Sequence, residues 1–218
     1  SIDDFYKTRK ERSALSKKTH PLLMTRGVPG THDTKIISKF FKGVKKNKFK
    51  KISVPKFDKS VDNRFSKNKW YKVISKPDVI ILEGWCVGAR AQSISQIKKP
   101  INSLEKTKDH DLKWRKFVNL KLQNEYKRIF SQLNSLIYLK AENFKILQQW
   151  RITQEKKLSL NSKKKKNLKI MSKGDVINFM QTYQRITQNM FKDAPKYASI
   201  IFKLDSKHQI NSATYKKK

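Results

Sequence analysis

Cysteine is nearly missing from this chain. Cys86 is the single one in 218 residues, which excludes an intramolecular disulfide and suits a reducing compartment. The expected location is therefore the cytoplasm. No apolar run approaches the about 20 residues that cross a bilayer, and no secretory signal pattern is present. Acidic residues are scarce as well, at 17 against 52 lysines and arginines. The four histidines (His20, His32, His110, His208) show no metal-ligand spacing and have no partner cysteines. There is no Gly-x-Ser-x-Gly nucleophile elbow. These gaps argue against secreted disulfide scaffolds, zinc sites and serine hydrolases.

What is present supports a folded core. Hydrophobic residues make up 37% and aromatics 11%. The formal net charge of +35 draws polyanions through its field alone. Yet only 9 of the 52 basic residues are arginine, whose planar fork is preferred for phosphate and base recognition. The lysines are spread out, with dense runs at Lys45–Lys51, Lys163–Lys166 and Lys216–Lys218 between the periodic segments. A solvated lysine-rich surface is the favoured reading, with nucleic-acid binding as its rival.

The chain reads as strands alternating with helices. Lys7 to Lys18 is polar and helix-compatible, and His20 to Asp33 is a loop with turns fixed by Pro21, Gly27, Pro29 and Gly30. Thr34 to Phe41 is a short helix with Ile36, Ile37, Phe40 and Phe41 inward. Ile52–Val54 is a strand stopped by Pro55, followed by a polar loop over 56–69. Val79–Leu82 is an unbroken apolar run that ends at Glu83 and Gly84. It reads as a strand buried on both faces, as in a parallel sheet. Glu83 then emerges at the strand's carboxyl end, where open α/β sheets bind ligands; the alternative is a Glu that caps the next turn. Cys86 reads as a packed small hydrophobe.

Asp111 to Asn134 is the longest helical pattern, with Trp114, Phe117, Val118, Leu122, Tyr126, Ile129, Phe130 and Leu133 at spacings of mainly three and four. Leu136–Leu139 is a second apolar strand and Phe144–Leu158 a further helix. Ser172 with Asp175 is a capping box. The helix it opens carries a core stripe of Val176, Ile177, Met180, Tyr183, Ile186, Met190 and Phe191. Arg185 on that helix reads as structural. Ser199–Leu204 is the last strand. The alternation implies a parallel sheet with helices on both faces.

Several ordered motifs carry a family resemblance. They are Ser1–Tyr6, Arg26–Asp33 (RGVPGTHD), Pro55–Ser60 (PKFDKS), Asp62–Arg64 (DNR) and Leu82–Ala89 (LEGWCVGA). Trp150–Arg151 with Gln154–Glu155, and Tyr183–Thr187 (YQRIT), follow. In this order they resemble the D-glycerate 3-kinase family and its bacterial kinase-like relatives, within the P-loop group of uridine kinase and phosphoribulokinase. The resemblance spans nearly the whole chain. It implies one kinase-like α/β domain over 1–218, with a P-loop NTPase-like parallel sheet and a lid at about 141–170. It also implies use of ATP and Mg²⁺, with a small hydroxy acid, most simply D-glycerate, as phosphate acceptor. One departure is large. The family's Gly-rich loop, G-x-x-x-x-G-K-[ST], precedes the Ser-Ile-Asp-Asp segment, and no such pattern exists here. The expectation is a kinase lacking its amino-terminal strand and P-loop, with little activity until that segment is supplied.

The resemblance also implies roles residue by residue. Asp3, at the end of a strand, orients the acceptor hydroxyl and helps hold magnesium. Asp4 assists with nucleotide-bound magnesium or caps the following helix. Glu83 is a second magnesium partner. Arg26 and Arg64 grip the acceptor carboxylate with paired hydrogen bonds, and His32 and Asp33 hold its hydroxyls. For His32 the alternative is a loop histidine bonded to backbone. Asp58 and Lys59 lie beside the acceptor or bridge to each other, and Tyr6 closes the pocket or is ordinary core. On the lid, Arg151 stabilises the phosphoryl group in transit, with Gln154 on the same helix face; its structural alternative is an i,i+4 pair with Glu155. A homologue that binds nucleotide without transferring phosphate is a further alternative.

Overall fold

The computed structural model describes residues 1–46, 48–161 and 171–216. Asn47, the Lys163–Lys166 run, Lys217, Lys218 and the 162–170 part of the expected lid lie outside the described residues. The helices are α1 (Arg9–Lys18), α2 (Thr34–Val44), α3 (Ile94–Lys98), α4 (Ser103–Lys108), α5 (Lys113–Lys121), α6 (Lys127–Phe130), α7 (Phe144–Asn161) and α8 (Lys173–Tyr197). The strands are β1 (Ile52–Val54), β2 (Phe57–Asp58), β3 (Asn63–Arg64), β4 (Tyr71–Val73), β5 (Ile137–Ala141), β6 (Ile200–Leu204) and β7 (Ile210–Tyr215). By its contacts the chain groups into two compact units. The first holds residues 1–87, 91–98 and 108–132, and the second 88–90, 99–107 and 133–218. No helix among the described residues is long and apolar enough to cross a membrane.

The first unit is built on helix caps and short hairpins. Thr8 and Glu11 form a capping box that starts α1, and Asp33 caps α2 by accepting from the Ile36 amide. Ile37, Phe41 and Val44 then bury one face of α2. Ile36 and Phe40 are only half-buried. β1 pairs antiparallel with β4, and β2 with β3. The stretch expected as a polar loop therefore contains a hairpin. Its turn is held by Asp62, whose backbone is left-handed at φ 54. Fully buried Arg12 of α1 grips both Asp62 carboxylate oxygens, at 3.1 and 2.7 Å, and the Asp62 carbonyl at 2.8 Å. α5 and α6 are joined by one π turn, Leu122–Tyr126, and Trp114, Val118, Leu122, Tyr126 and Ile129 are buried along them.

The expected strand at Val79–Leu82 is not formed. Val79 is 76% exposed and Ile81 82% exposed. Among the described residues no strand bonds to this run; Ile80 and Leu82 are half-buried and the Val79–Ile81 face is open. The Glu83 side chain is correspondingly open, at 66% exposure, and is no buried acid.

In the second unit β5 and β6 pair parallel and β7 joins antiparallel. Among the described residues β5–β6 is the one parallel pair, so a parallel sheet with helices on both faces is not established. β7 was hidden from sequence reading because all six of its residues are exposed and it carries no apolar alternation. It follows β6 through a turn in which Asp205 accepts from the Lys207 and Gln209 amides. The Ser172–Asp175 capping box starts α8 as expected. Val176, Ile186 and Met190 of the α8 stripe are buried, while Ile177 is 37% exposed. Arg185 is structural: its guanidinium forks onto Glu105 at 2.7 and 2.6 Å and bonds the Lys99 carbonyl.

Asp62→Ala is expected to destabilise the protein by about 3–5 kcal/mol, because it leaves the Arg12 guanidinium buried and unpaired. Urea unfolding at constant m-value checks this; a loss below about 1 kcal/mol would show that the Arg12–Asp62 pair does not hold the hairpin.

Candidate active site

The site grows from one short antiparallel contact in the first unit. The Lys7 amide donates to the Thr31 carbonyl at 2.8 Å, and the Asp33 amide to the Phe5 carbonyl at 2.7 Å. These bonds place Tyr6 opposite His32. Their rings stack at 4.3 Å with 18° between planes, and Phe57 packs edge-on against Tyr6. Gly30 lets the loop reach this position: its φ is +102, and an added Cβ would lie 2.6 Å from the Phe117 ring.

Asp3 lies in a 3₁₀ turn, Ile2–Phe5, rather than at a strand end. Its carboxylate accepts from Lys59 Nζ at 2.7 Å and from Tyr6 through its side chain. Burial alone pushes the Asp3 carboxyl up, but the Lys59 bond and charge, with Tyr6, hold it below its usual range. Asp58 and Lys59 do not bridge to each other. Asp58 instead accepts from the amide and hydroxyl of Ser60, which hold its carboxyl low.

His32 is 1% exposed. Burial pushes its imidazole down to about 3 despite the opposing charge of Asp3, so the ring is neutral. Its Nδ1 lies 2.6 Å from the Tyr126 hydroxyl, and its Nε2 is buried with no hydrogen-bond partner among the described residues. The backbone-bonded loop histidine is thus not what is found. Tyr126 is a contributor that sequence reading assigned only to the core stripe.

Several expected ligands are occupied by the fold. Asp4 does not cap the following helix; it accepts from the Phe57 amide at 3.0 Å and anchors β2. Arg64 donates to the Tyr6 carbonyl at 3.0 and 2.7 Å and lies 3.5 Å from Asp33. Arg26 pairs with Asp62 and covers the Phe57 ring. Glu83 accepts the Ile2 amide through its carbonyl at 2.9 Å, which ties its backbone beside the Asp3 turn. Arg151 lies in the second unit, where it pairs with Gln154 at 2.6 Å and with Glu155 in the i,i+4 arrangement. Cys86 is buried, and burial raises its thiol to about 12, so it is inert.

Among the described residues the one cluster with metal-ligand spacing is His20, Asp109 and Asp111. Asp109 is already spent on the Trp114 and Arg115 amides and the Arg115 side chain, and His20 Nδ1 accepts the Leu22 amide.

A lysine-lined groove of ≈ 1440 Å³ borders His32 and Asp33. Ten lysine and arginine side chains line it against two carboxylates, Asp33 and Glu125, and Trp70 adds an aromatic face.

No protein-family model matches the chain. A Schizosaccharomyces pombe protein described as an uncharacterized kinase, mug58, is 30% identical over 219 residues, covering 97% of this chain and 72% of that protein. The chain belongs to the glycerate-kinase-like family of kinases. Its enzyme class is accordingly that of a kinase. A chloroplastic D-glycerate 3-kinase of Arabidopsis thaliana is 26% identical over 163 residues, covering 71% of this chain and 33% of its own length. The solved D-glycerate 3-kinase of Cryptococcus neoformans var. grubii superposes with a TM-score of 0.79 at 20% identity. That match covers 99% of this chain and 78% of the other, and it establishes the likeness of fold.

The buried neutral His32 sets a pH dependence. The unfolded chain takes up a proton there below its ordinary 6.5 while the folded chain does not until about 3. Stability from this group is therefore complete above 6.5 and is lost as pH falls. Between pH 6 and 4 the wild type is expected to lose up to about 1.4 kcal/mol per pH unit more than His32→Gln. Chemical denaturation across that range checks it; parallel curves for the two proteins would overturn it.

Proposed function

We propose that this kinase transfers the γ-phosphate of ATP, brought as its magnesium complex, to the hydroxyl of a small hydroxy acid, most simply D-glycerate. The observation that carries this reading is the Asp3–Lys59 ion pair, backed by Tyr6 and neutral His32. Phosphoryl transfer asks the protein mainly for positioning and for neutralising charge. Asp3, held ionised, accepts the proton of the attacking hydroxyl. Lys59 supplies the positive charge that the acceptor carboxylate needs. Arg26 and Arg64 do not fill that role in this reading, because Asp62 and the Tyr6 carbonyl already hold them.

The nucleotide side is less complete. The Gly-rich loop with its Lys-Ser/Thr is not among the residues of this sequence. Asp3 is engaged by Lys59 and the Glu83 side chain is open to solvent, so this reading routes no step through magnesium at that pair. No step is assigned to residues on that side.

The test is magnesium-dependent ATP turnover with D-glycerate, measured on this chain joined to a strand and Gly-rich loop. Asp3→Asn is expected to lower kcat by about 10²- to 10⁴-fold. Lys59→Ala should raise the KM for D-glycerate by about 10- to 100-fold. Turnover that survives Asp3→Asn removes the assigned base. Stimulation by uncharged polyols as strong as by hydroxy acids removes the acceptor class.

The lysine-lined groove favours a second reading, binding of single-stranded nucleic acid. It couples a cationic track to an aromatic face, as such sites require. Binding of an oligouridylate should then fall with salt with a log–log slope of about −3 or steeper. Replacing Lys35, Lys39 and Lys42 by Glu should flatten it by about 2. A wild-type slope shallower than about −1 excludes this reading.

A further inference from the structure

Tyr126 is fully buried at the end of the π turn, Leu122–Tyr126. Such turns insert one residue into a helix and recur at functional sites. Here the turn brings the phenol between a loop amide and an imidazole. The Tyr126 oxygen accepts from the Gly30 N–H at 3.0 Å and lies 2.6 Å from His32 Nδ1. With the oxygen already accepting, its own proton has Nδ1 as its acceptor. The arrangement in which Tyr126 donates to Nδ1 gives that proton an acceptor. Burial raises the phenol well above its ordinary range, which keeps that proton in place.

A neutral imidazole carries one proton. If Nδ1 accepts, the proton is on Nε2, and which nitrogen holds it is set by the bond the other makes. That Nε2–H is buried and has no acceptor among the described residues. A buried donor left unpaired costs free energy, so native structures seldom keep one without a reason. His32 stacks on Tyr6, Tyr6 bonds Asp3, and the charge of Asp3 is felt at the ring. The unpaired donor belongs to the same cluster as the proposed base.

We propose that Tyr126 is a positioning residue that fixes His32 as its Nε2–H tautomer, so that the neutral imidazole donates a hydrogen bond to an oxygen of the acceptor. The second half rests on the acceptor site lying at Asp3, Lys59 and His32. The role asks for no charge on the ring. It discriminates by hydrogen bonding: an acceptor with a carboxylate or hydroxyl oxygen at that point is held, and an analogue with hydrogen there leaves the donor unpaired.

The experiment is a long-range ¹H–¹⁵N spectrum of the imidazoles in this chain, with His32 assigned by its loss in His32→Gln. In the wild type, Nε2 should be protonated and Nδ1 bare, unchanged from pH 5 to 8. In Tyr126→Phe the preference should be lost or reversed, and the Kd for D-glycerate should rise about tenfold. D-glycerate should move the wild-type Nε2–H resonance. A protonated Nδ1 in the wild type overturns the proposal even if Tyr126→Phe fails to fold, and so does an unchanged spectrum in a folded Tyr126→Phe. If the tautomer is as expected but neither D-glycerate nor lactate moves any His32 resonance, the acceptor site falls while the role of Tyr126 toward His32 stands.

Discussion

The pairing of Phe5–Lys7 with Thr31–Asp33 is the constraint on which the site depends. Two backbone bonds fix the register of two segments that lie far apart in sequence. Because side chains alternate along paired backbone, that register puts Tyr6 against His32 and turns its neighbours away. Each later step uses this placement. The Tyr6 carbonyl takes the Arg64 guanidinium, which in turn approaches the Asp33 carboxylate that caps α2. One short contact thus sets the start of a helix, the hairpin bearing Lys59, and the environment of Asp3. A slip of one residue would exchange the facing side chains and dismantle all three.

The division of labour between arginine and lysine follows from the same scarcity of acids. Arg12, Arg64, Arg115 and Arg185 are each nearly buried and each bonds both a carboxylate and a backbone carbonyl or a second acid. Only a flat, many-donor fork can satisfy several fixed acceptors at once. The nine arginines are thereby largely consumed in holding the fold. Lysine, with one compact charge on a flexible stem, is left to the surface and to the site. Lys59 is 63% exposed where it meets Asp3. An exposed pair of this kind contributes little to stability and exchanges partners at small cost, which suits the role proposed for Lys59.

Local rules were readable from sequence where local physics decides. The Ser172–Asp175 cap, the strand stopped at Pro55, and the inward set Ile37 and Phe41 all follow from spacing and side-chain chemistry. So does the structural part played by Arg185. The failures share a different cause. Val79–Leu82 is apolar enough for a buried strand, but burial needs a partner, and composition carries no information about one. β7 is stabilised by its ladder with β6 and leaves no apolar trace. Tyr126 fitted the helical stripe and was read as core, since spacing cannot show that a π turn aims its hydroxyl at His32. Arg26 was placed by motif, and its capture by Asp62 is a tertiary event. The family likeness thus located the Asp3 turn and the RGVPGTHD loop, whereas only the coordinates separate groups free to meet a ligand from groups already spent.

The charges at the site bear on the acceptor. Asp3 and Lys59 neutralise each other, and His32 adds none because burial keeps it uncharged. An uncharged alcohol entering the proposed site leaves that ion pair intact. Lys59 then keeps its hold on the carboxylate, and Asp3 is a poor proton acceptor. A hydroxy acid brings its own anion. In the proposed transfer, Lys59 has a competing partner in it, and as the lysine moves over, Asp3 is released to take the hydroxyl proton. On the proposed reading, binding of the carboxylate and activation of the hydroxyl become one exchange, and a preference for an acid over a polyol is what that pairing would give. A second positive charge in place of the neutral imidazole would hold Asp3 ionised without the acceptor and weaken its basicity. On this reading the burial that strips His32 of its proton serves the same end as the exposure of Lys59.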